Sequence, residues 1–489
     1  MSAPAISLPA TLPDAHALIQ QLIWRVRQLE KELFGSSSER QTPETLSKEQ
    51  ILLSLFPAAA PAATQAVLLP PVAERTPPRE RRQPAAKVLE TVTERLEPAE
   101  KVCPHCGKAK CEIGCEKSER FEYIPAKIVR HEILRPKLAC PCGEGGVSIA
   151  PMPPSVVPQG QPGPGLVAHV MLSKYDDHLP LYRQQQQFAR LGANFPRQTL
   201  CDWIEKGAEW LQPIVREMKQ ELLAGEYLQV DETPVRVLDP EVKGKCALGY
   251  LWVAGRPESD VIFEFHPGRG KVFAQALVGD FKGYLQRDGY GVYGALAADQ
   301  PGLIGVGCWS HARRKFVDAL EERPGPAAEV VSEIRKLYLV ERHARDGCLA
   351  PGERLALRKK ISAPLLTALK PRLVTLQEES LPQSPLGKAA RYALGEWEPL
   401  MCYLTDGRLE IDNNLTENAI RPSAVGKKNW LFIGHPQAGW RSATIYSVIV
   451  SCRRRGIDPW QYLREVLTRL PSMKQSELTT VLPRNWKPA

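Results

Sequence analysis

The chain lacks the two kinds of apolar segment that direct a protein into or across a membrane. Its first residues, MSAPAISLPATLPDAH, have no basic stretch followed by an apolar one, and no later run of 18 apolar residues exists. We therefore expect a cytoplasmic protein with no membrane partner. Without a secretion signal, the twelve cysteines are expected to be reduced thiols or metal ligands rather than a disulfide framework.

A nucleotide-binding loop is also missing. The segment Gly426-Lys427-Lys428 lacks the earlier glycine and the trailing Ser or Thr of a P-loop. The sequence therefore gives no indication of a nucleotide-driven motor.

Positive charge is distributed unevenly along the chain, whose formal net charge is +9. Residues 420–470 carry nine basic side chains and two acidic ones. Such a cluster is typical of a surface that contacts the phosphate backbone of DNA, although a solvated helix face gives the same pattern. The basic residues of this cluster that we predict to contact DNA are Arg421, Lys427, Lys428, Arg441, Arg453, Arg454 and Arg455.

The length of 489 residues exceeds the roughly 250 to 300 residues of a single hydrophobic core, so several domains are expected. Apolar residues spaced by three and four from Ile19 to Leu33 predict an N-terminal helix, either an ordinary amphipathic helix or a coiled coil that joins copies of the chain. The predicted divisions are an amphipathic helical region over 1–56, a Pro/Ala-rich linker over 57–90, a cysteine module over 91–150, a second linker over 151–165, a helical segment over 166–224, a mixed α/β domain over 225–434 with a helical insertion at 317–400, and a basic helical region over 435–489.

The helical segment 166–224 contains a pattern typical of two helices joined by a turn. The turn spans Leu191 to Asn194, and the second helix is entered near Pro196. In a helix-turn-helix, the first residues of the second helix reach base edges of DNA. A plain helical hairpin packed inside the protein is the alternative. The candidate DNA-contacting residues here are Arg197, Gln198 and Thr199.

The cysteine module contains two close pairs, Cys103-Pro-His-Cys106 and Cys140-Pro-Cys142, separated by a β-rich stretch. Four thiolates from two such pairs provide the tetrahedral sulfur ligands that Zn²⁺ prefers. We therefore predict a structural zinc ion. The alternative ligands are His105, Cys111 and Cys115.

Strand patterns begin at Glu226, and a helical pattern interrupts them, which predicts a mixed α/β sheet. Asp231 and Asp288 each end the same local pattern, Tyr-Leu-Gln-x-Asp. An aspartate at the end of a buried strand is held by the sheet yet open to solvent, and carboxylate oxygens are the ligands that Mg²⁺ prefers. Both residues are therefore candidate metal ligands.

Glu417 is the third candidate carboxylate, and it has a structural alternative. The segment Asn414-Leu-Thr-Glu417 fits an Asn-capped variant of the capping box at a helix start. Helical spacing also puts Asn414, Glu417 and Arg421 on one face, which suits a metal-facing carboxylate beside an arginine directed at phosphate. Glu410 and Asp412 are rival carboxylates nearby. Repulsion among three carboxylates should raise at least one pKa, and bound metals should reverse that effect.

The segment CWSHARRKF at 308–316 places a histidine and three cations beside a strand end. This arrangement suits contacts to the phosphates of a DNA strand, whereas an isolated histidine is more often structural. The candidate DNA-contacting residues of this segment are His311, Arg313, Arg314 and Lys315.

Several segments in order resemble the bacterial transposases of the insertion-sequence sixty-six family. The matching segments are LEKELFGSSSER, CPHCG, SKYDDHLPLYRQQQQFARLG, VDETPV, RDGYGVY, CWSHARRKF, DNNLTENAIRP and LFIGHPQAGWRSATIYSVIVSCRRRGIDPWQYL. The resemblance implies a multidomain α/β protein whose RNase H-like catalytic domain carries the triad Asp231, Asp288 and Glu417. It also implies a preceding zinc-binding domain and a helical DNA-binding segment.

The same resemblance implies the activity and its partners. Asp231 would bridge two Mg²⁺ or Mn²⁺ ions, with Asp288 and Glu417 each holding one, so that an insertion sequence is cut at its ends and joined to target DNA. The implied partners are double-stranded DNA, further copies of the chain and small accessory proteins of the same element. The alternatives are a nuclease that cuts without joining and a zinc-containing DNA-binding protein without catalysis.

Overall fold

The computed structural model describes residues 127–139, 147–158, 160, 162–242 and 244–488. The predicted N-terminal helix, the Pro/Ala-rich linker and the zinc ligands Cys103, Cys106, Cys140 and Cys142 lie outside the described residues, as do the alternative ligands of that module. Two short antiparallel strands, β1 (Lys137–Ala139) and β2 (Val147–Ile149), are the described part of the cysteine module.

A five-stranded mixed sheet carries the candidate carboxylates. Its strands lie in the order β5-β4-β3-β6-β7. β3 pairs antiparallel with β4, and β4 with β5, whereas β3, β6 and β7 are parallel neighbours. The sheet and the surrounding helices confirm the predicted α/β class. The strands are β3 (Tyr227–Val237), β4 (Ala247–Gly255), β5 (Val261–His266), β6 (Gly283–Gln286) and β7 (Leu303–Val306).

Helices precede the strands along the chain, lie between them and follow them. Several begin with proline in the first turn, where a missing N–H costs nothing. The described helices are α1 (Pro164–Tyr175), α2 (Leu181–Arg190), α3 (Arg197–Leu223), α4 (Lys271–Val278), α5 (Gly291–Asp299), α6 (Trp309–Asp318), α7 (Pro324–Asp346), α8 (Pro351–Leu357), α9 (Ala363–Glu379), α10 (Pro385–Gly395), α11 (Trp397–Met401), α12 (Asn414–Trp430), α13 (Gly439–Arg454) and α14 (Pro459–Arg469).

One hydrophobic core joins the sheet to helices α1, α3, α13 and α14. Helix α13 lies along the edge strand β5, where Ser447 Oγ accepts a hydrogen bond from Phe263 N at 2.8 Å and Ser451 Oγ accepts one from Val261 N at 2.9 Å. An edge strand exposes unpaired backbone donors that favour aggregation. The two serines satisfy these donors, so helix α13 closes one edge of the sheet.

A second core belongs to the helices between β7 and α12. Directly after α8, Arg358 is fully buried in a π-helical turn (Arg358–Ser362) and binds the buried Glu341 through Nε at 2.7 Å. The same guanidinium donates to the backbone carbonyls of Tyr403 and Leu409, both at 2.7 Å. A buried charge pair is tolerated only when its remaining donors are satisfied, and here those donors hold the chain that leads into α12.

Candidate active site

The two Tyr-Leu-Gln-x-Asp segments lie side by side in the sheet. β3 and β6 are parallel, and their register pairs Tyr227 with Tyr284 and Gln229 with Gln286. Asp231 and Asp288 each follow a paired glutamine by two residues. Asp288 lies just beyond the end of β6, whereas Asp231 lies within β3, which continues to Val237 and pairs Asp231 with Val253 of β4. The expectation of an aspartate at a strand end therefore holds for Asp288 and is wrong for Asp231. Because the strands are parallel and in register, both aspartates lie toward the same end of β6. The two copies of the repeated segment therefore pair with each other in the sheet.

The paired glutamines connect the sheet to the element that carries Glu417. Both side chains are fully buried. Gln229 Nε2 donates to Gln286 Oε1 at 2.8 Å, while Gln229 Oε1 accepts from Thr416 Oγ1 at 3.1 Å. Gln286 Nε2 donates to the carbonyl oxygen of Glu410 at 2.8 Å. These bonds hold the first turn of α12 beside Gln229 and the end of β6, where the charge of Glu417 acts on Asp231.

Asp231 is the most perturbed carboxyl of this group. Burial raises its pKa to about 8, and repulsion from Glu232, Glu417 and Asp288 adds to that increase. Its Oδ1 accepts a hydrogen bond from the backbone N–H of Glu232 at 2.8 Å, which opposes the increase only in part. One pKa is raised, as predicted, but loss of hydration contributes more than repulsion does.

Glu417 does not cap its helix. α12 begins at Asn414, and the Asp412 carboxylate accepts the backbone N–H of Asn414 at 3.1 Å and its side-chain amide at 2.8 Å. The Asn-capped box, the structural alternative, is therefore absent, because Asp412 accepts the N–H of Asn414 and the N–H of Glu417 donates to the carbonyl oxygen of Asn413. Glu417 Oε2 lies 3.5 Å from Arg314 Nη2, and Oε1 is buried without a hydrogen-bond partner. This carboxylate is left available for a ligand.

Two residues at the site went unrecognised in the sequence. Glu232 is buried, and it accepts hydrogen bonds from Arg269 Nε at 2.6 Å and from Tyr293 Oη at 2.5 Å. Arg269 Nη2 also lies 4.0 Å from Asp288 Oδ2, and its guanidinium stacks on Tyr290 at 3.8 Å. Arg269 thus balances charge beside Asp288. Its loop, HPGRGK, carries no pattern that distinguishes it from an ordinary surface turn.

The CWSHARRKF segment forms the start of α6 and lies against Glu417. His311 Nδ1 is 3.6 Å from Glu417 Oε1, and burial lowers the pKa of His311. Arg314 is exposed, and Lys315 lies over the ring of Tyr392 at 4.5 Å. Arg313 is half-buried. Of this segment, His311 and Arg314 therefore lie beside Glu417.

Most basic residues of the C-terminal cluster contact other residues of the same chain. Lys427 Nζ donates to Thr233 Oγ1 at 3.1 Å, and Arg454 Nη2 donates to the carbonyl oxygen of Leu415 at 2.6 Å. Arg421 and Lys428 are exposed. Three further arginines make ion pairs with acidic residues on neighbouring elements: Arg441 with Glu205, Arg453 with Asp176 and Arg455 with Asp260.

The predicted turn between two helices is present, with α2 ending at Arg190 and α3 starting at Arg197. Gly192 has a φ of +82°, a left-handed conformation that favours glycine. Arg197 and Gln198 are exposed in the first turn of α3, and Thr199 is half-buried. α3 is 27 residues long, and beyond its first turn it buries one face in the core. Its other face stays exposed at Asp202, Glu209, Arg216 and Gln220.

Comparison with known proteins assigns the chain to the transposases, a class of DNA-processing proteins. The model of the Transposase IS66 family matches residues 159–441, that of the zinc-finger binding domain of transposase IS66 matches residues 100–143, and the IS66 C-terminal element matches residues 447–483. The chain belongs to the IS66 family of transposases, and the resemblance seen in the sequence is confirmed. The zinc-finger match supports structural Zn²⁺ and DNA as a partner.

The curated relatives extend over most of the chain and are themselves uncharacterized. In Sinorhizobium fredii (strain NBRC 101917 / NGR234), uncharacterized protein y4jD is 35% identical and covers 80% of this chain and 79% of its own length. Uncharacterized protein y4qI is 33% identical, with 84% and 78% covered, and y4hP is 29% identical, with 95% and 88% covered. Among the described residues, no helix is long and apolar enough to span a bilayer.

Proposed function

We propose that this protein cuts the ends of an insertion sequence and joins them to target DNA, with Asp231, Asp288 and Glu417 as the catalytic triad. The observation that supports this proposal is the convergence of the three carboxylates. Two of them follow an in-register repeat on adjacent parallel strands. The third follows Thr416, whose hydroxyl is bonded to that repeat.

The carboxylate group fits divalent cations. Its ligand atoms are hard oxygens, which Mg²⁺ and Mn²⁺ prefer. The high pKa of Asp231 reflects a buried site in which negative charges repel one another, and a cation relieves that repulsion. When bound, a pair of such ions would stabilise the attacking and leaving oxygens of a phosphodiester. We infer that Asp231, Asp288 and Glu417 are the residues that would hold these ions.

Neighbouring side chains have supporting roles in this proposal. Arg269 holds Glu232 and lies 4.0 Å from Asp288 Oδ2, so it limits the net negative charge at the site. His311 and Arg314 lie beside Glu417, where they can contact the phosphates of the strand being cut. No Ser or Tyr nucleophile is needed, because water would attack the phosphodiester at the element's end and release a 3′-hydroxyl. That hydroxyl would then attack a phosphodiester of the target strand and displace a 3′-hydroxyl of the target.

We infer two kinds of DNA-contacting surface. Arg197, Gln198 and Thr199 would read bases from the first turn of α3. The residues proposed to contact phosphates are His311, Arg313, Arg314, Lys315, Arg421, Lys427, Lys428, Arg441, Arg453, Arg454 and Arg455. Of these, Arg421 and Lys428 are the exposed members on α12, whereas Arg441, Arg453 and Arg455 would have to exchange their ion pairs for phosphates.

The remaining assignments concern fold, zinc and assembly. We propose an RNase H-like catalytic domain, because three antiparallel strands continue into two parallel ones with Asp231 on the central strand. The proposed domain divisions are 1–56, 57–90, 91–150, 151–165, 166–224, 225–434 and 435–489. Cys103, Cys106, Cys140 and Cys142 are the proposed zinc ligands, and the active form is proposed to be a homo-oligomer assisted by accessory proteins.

The test uses the purified full-length protein, Mg²⁺ or Mn²⁺, labelled DNA carrying the flanking repeats of its own locus, and a target duplex. Wild type should release a 3′-hydroxyl end and join it to the target. Asp288→Asn should lose both steps while keeping its circular dichroism spectrum and its DNA binding. Asp280→Asn makes the same change at an exposed position and should behave as wild type.

Each other outcome has a defined meaning. Joining by Asp288→Asn would overturn the triad. Cutting without joining would favour the nuclease alternative, and specific binding without cutting would favour a DNA-binding protein without catalysis. Adding the products of neighbouring reading frames would then reveal whether an accessory protein had been missing.

A further inference from the structure

Three side chains with different ligand atoms converge beside the carboxylate group. Cys308 immediately precedes α6, His311 lies in its first turn, and Glu417 lies in the first turn of α12. Their sulfur, nitrogen and oxygen atoms all lie within 4.8 Å of one another. Among the residues that the structure describes, this is the group whose spacing suits a metal ion, and it excludes Asp231 and Asp288.

Two of the three ligand atoms face each other without forming a hydrogen bond. His311 Nδ1 and Glu417 Oε1 are buried, lack any hydrogen-bond partner and lie 3.6 Å apart. Leaving a buried polar atom unpaired costs about 1–3 kcal/mol. Two ligands of a tetrahedral ion, with bonds of about 2.1 Å, lie about 3.4 Å apart. The observed separation therefore fits two atoms that share one cation.

The sulfur atom determines which cation fits. Burial raises the pKa of the Cys308 thiol, and the backbone N–H groups of His311 and Asn413 that donate toward its sulfur offset this only in part, so a bound cation would be needed to hold the sulfur as a thiolate. A set of one sulfur, one imidazole nitrogen and one carboxylate oxygen suits Zn²⁺ or Co²⁺, whereas Mg²⁺ requires oxygen ligands. Arg314 engages Oε2 of Glu417 and leaves Oε1 directed at His311.

We propose that Cys308, His311 and Glu417 bind one transition-metal ion of the Zn²⁺ class, with a fourth position open to water and separate from the cysteine module. A second consequence rests on the proposed function. Because Glu417 also belongs to the carboxylate triad, a metal ion in this site withdraws that carboxylate from Mg²⁺. Zn²⁺ should therefore inhibit the Mg²⁺-dependent reaction.

The site itself is tested without any activity measurement. The full chain is first stripped of metal with a chelator and then titrated with Co²⁺ while absorbance is recorded, so that Co²⁺ enters both the cysteine module and this site. Wild type should bind one more Co²⁺ than Cys308→Ser does, with a thiolate-to-cobalt absorption that this variant lacks. Cys402→Ser, the same change at a half-buried free cysteine far along the chain, should match wild type.

His311→Ala provides a second variant at a partly exposed position, which keeps the test decisive if Cys308→Ser fails to fold. It should also lose the additional Co²⁺. The proposal is overturned if wild type takes up no additional Co²⁺, or if wild type and both variants give the same stoichiometry and spectrum.

The inhibition is measured separately in the DNA-cutting assay. Zn²⁺ should inhibit wild type, and Cys308→Ser should require at least about tenfold more Zn²⁺ for half inhibition, the size of effect expected on losing a metal ligand. Equal inhibition of both proteins would overturn the shared-carboxylate mechanism. If the Co²⁺ site is found but no DNA is cut even with the products of the neighbouring reading frames added, the proposed function is refuted and the metal site stands. If DNA is cut but the Co²⁺ site is missing, the metal site is refuted and the proposed function stands.

Discussion

Replacing Asp231 by asparagine should make the metal-free protein more stable while removing its catalysis. Asp231 has a pKa of about 8 in the folded protein against a usual value of 3.8. Between these two pH values the folded protein holds a proton that the unfolded chain has lost. The stability of wild type therefore falls as the pH rises from about 4 to about 8. Asparagine cannot ionise, so the variant escapes this loss.

The magnitude follows from the shift. Each pH unit in this window should increase the stability difference between variant and wild type by about 1.4 kcal/mol, which reaches roughly 4 kcal/mol at pH 7 as an upper limit. Relaxation of the folded protein and penetration of water reduce that figure, so a measured value of about 2 kcal/mol at pH 7 is the expected result. The dependence on pH is the more specific signature.

The measurement is urea unfolding followed by circular dichroism at pH 5.5, 6.5 and 7.5, without added divalent metal. Asp280→Asn is the control for loss of an exposed carboxylate, and it should give a small difference at every pH. Added Mn²⁺ should stabilise wild type and leave Asp231→Asn unchanged. A stability difference that is zero, or that stays constant across the three pH values, would refute the argument that burial at this site opposes ionisation.

Two other contacts give testable results. Thr416→Val leaves the buried Oε1 of Gln229 without its donor, so the cleavage rate should fall and the Mn²⁺ concentration for half-maximal rate should rise about tenfold. Thr416→Ser keeps the hydroxyl and should behave as wild type in both measurements. An unchanged Mn²⁺ requirement in the valine variant would contradict the positioning role of Thr416. Glu341→Gln leaves the buried Arg358 without its counter-charge and should lower the free energy of unfolding, measured in urea, by about 3–5 kcal/mol. Glu329→Gln removes the charge of an exposed ion pair with Arg372 and should cost at most about 1 kcal/mol. Equal effects would show that burial of the Glu341–Arg358 pair is unimportant.

Local residue patterns predicted those strands and turns that depend on interactions between residues close in sequence. The strand run from Tyr227 and the turn before Arg197 follow from residue periodicity and from glycine, and the structure has both. Glu417 illustrates where local reasoning fails. Its spacing from Asn414 was equally compatible with a cap, the structural alternative, but Asp412 accepts the N–H at the start of that helix instead. Several acceptors compete for the same backbone donors, and spacing alone does not decide among them.

Charge patterning was similarly ambiguous. The density of arginines near the C-terminus was visible in the sequence, yet Arg453 pairs with Asp176 and Arg455 pairs with Asp260, each on a distant segment. Arg269 went unrecognised for the same reason, because Glu232, which it binds, lies 37 residues away. Ion pairs of this kind depend on which surfaces pack together.

The sequence by itself determined the family, the zinc-finger module, the α/β class and the identity of the candidate carboxylates, because each is encoded in short runs of residues. Only the tertiary structure made the repeated Tyr-Leu-Gln-x-Asp segment meaningful, since parallel pairing in register is a contact between strands. The tertiary structure also joined Thr416 to Gln229 across 187 positions and brought Cys308 and His311 to Glu417. Such contacts arise when separate elements bury their apolar faces together, and no local pattern specifies which polar side chains then meet.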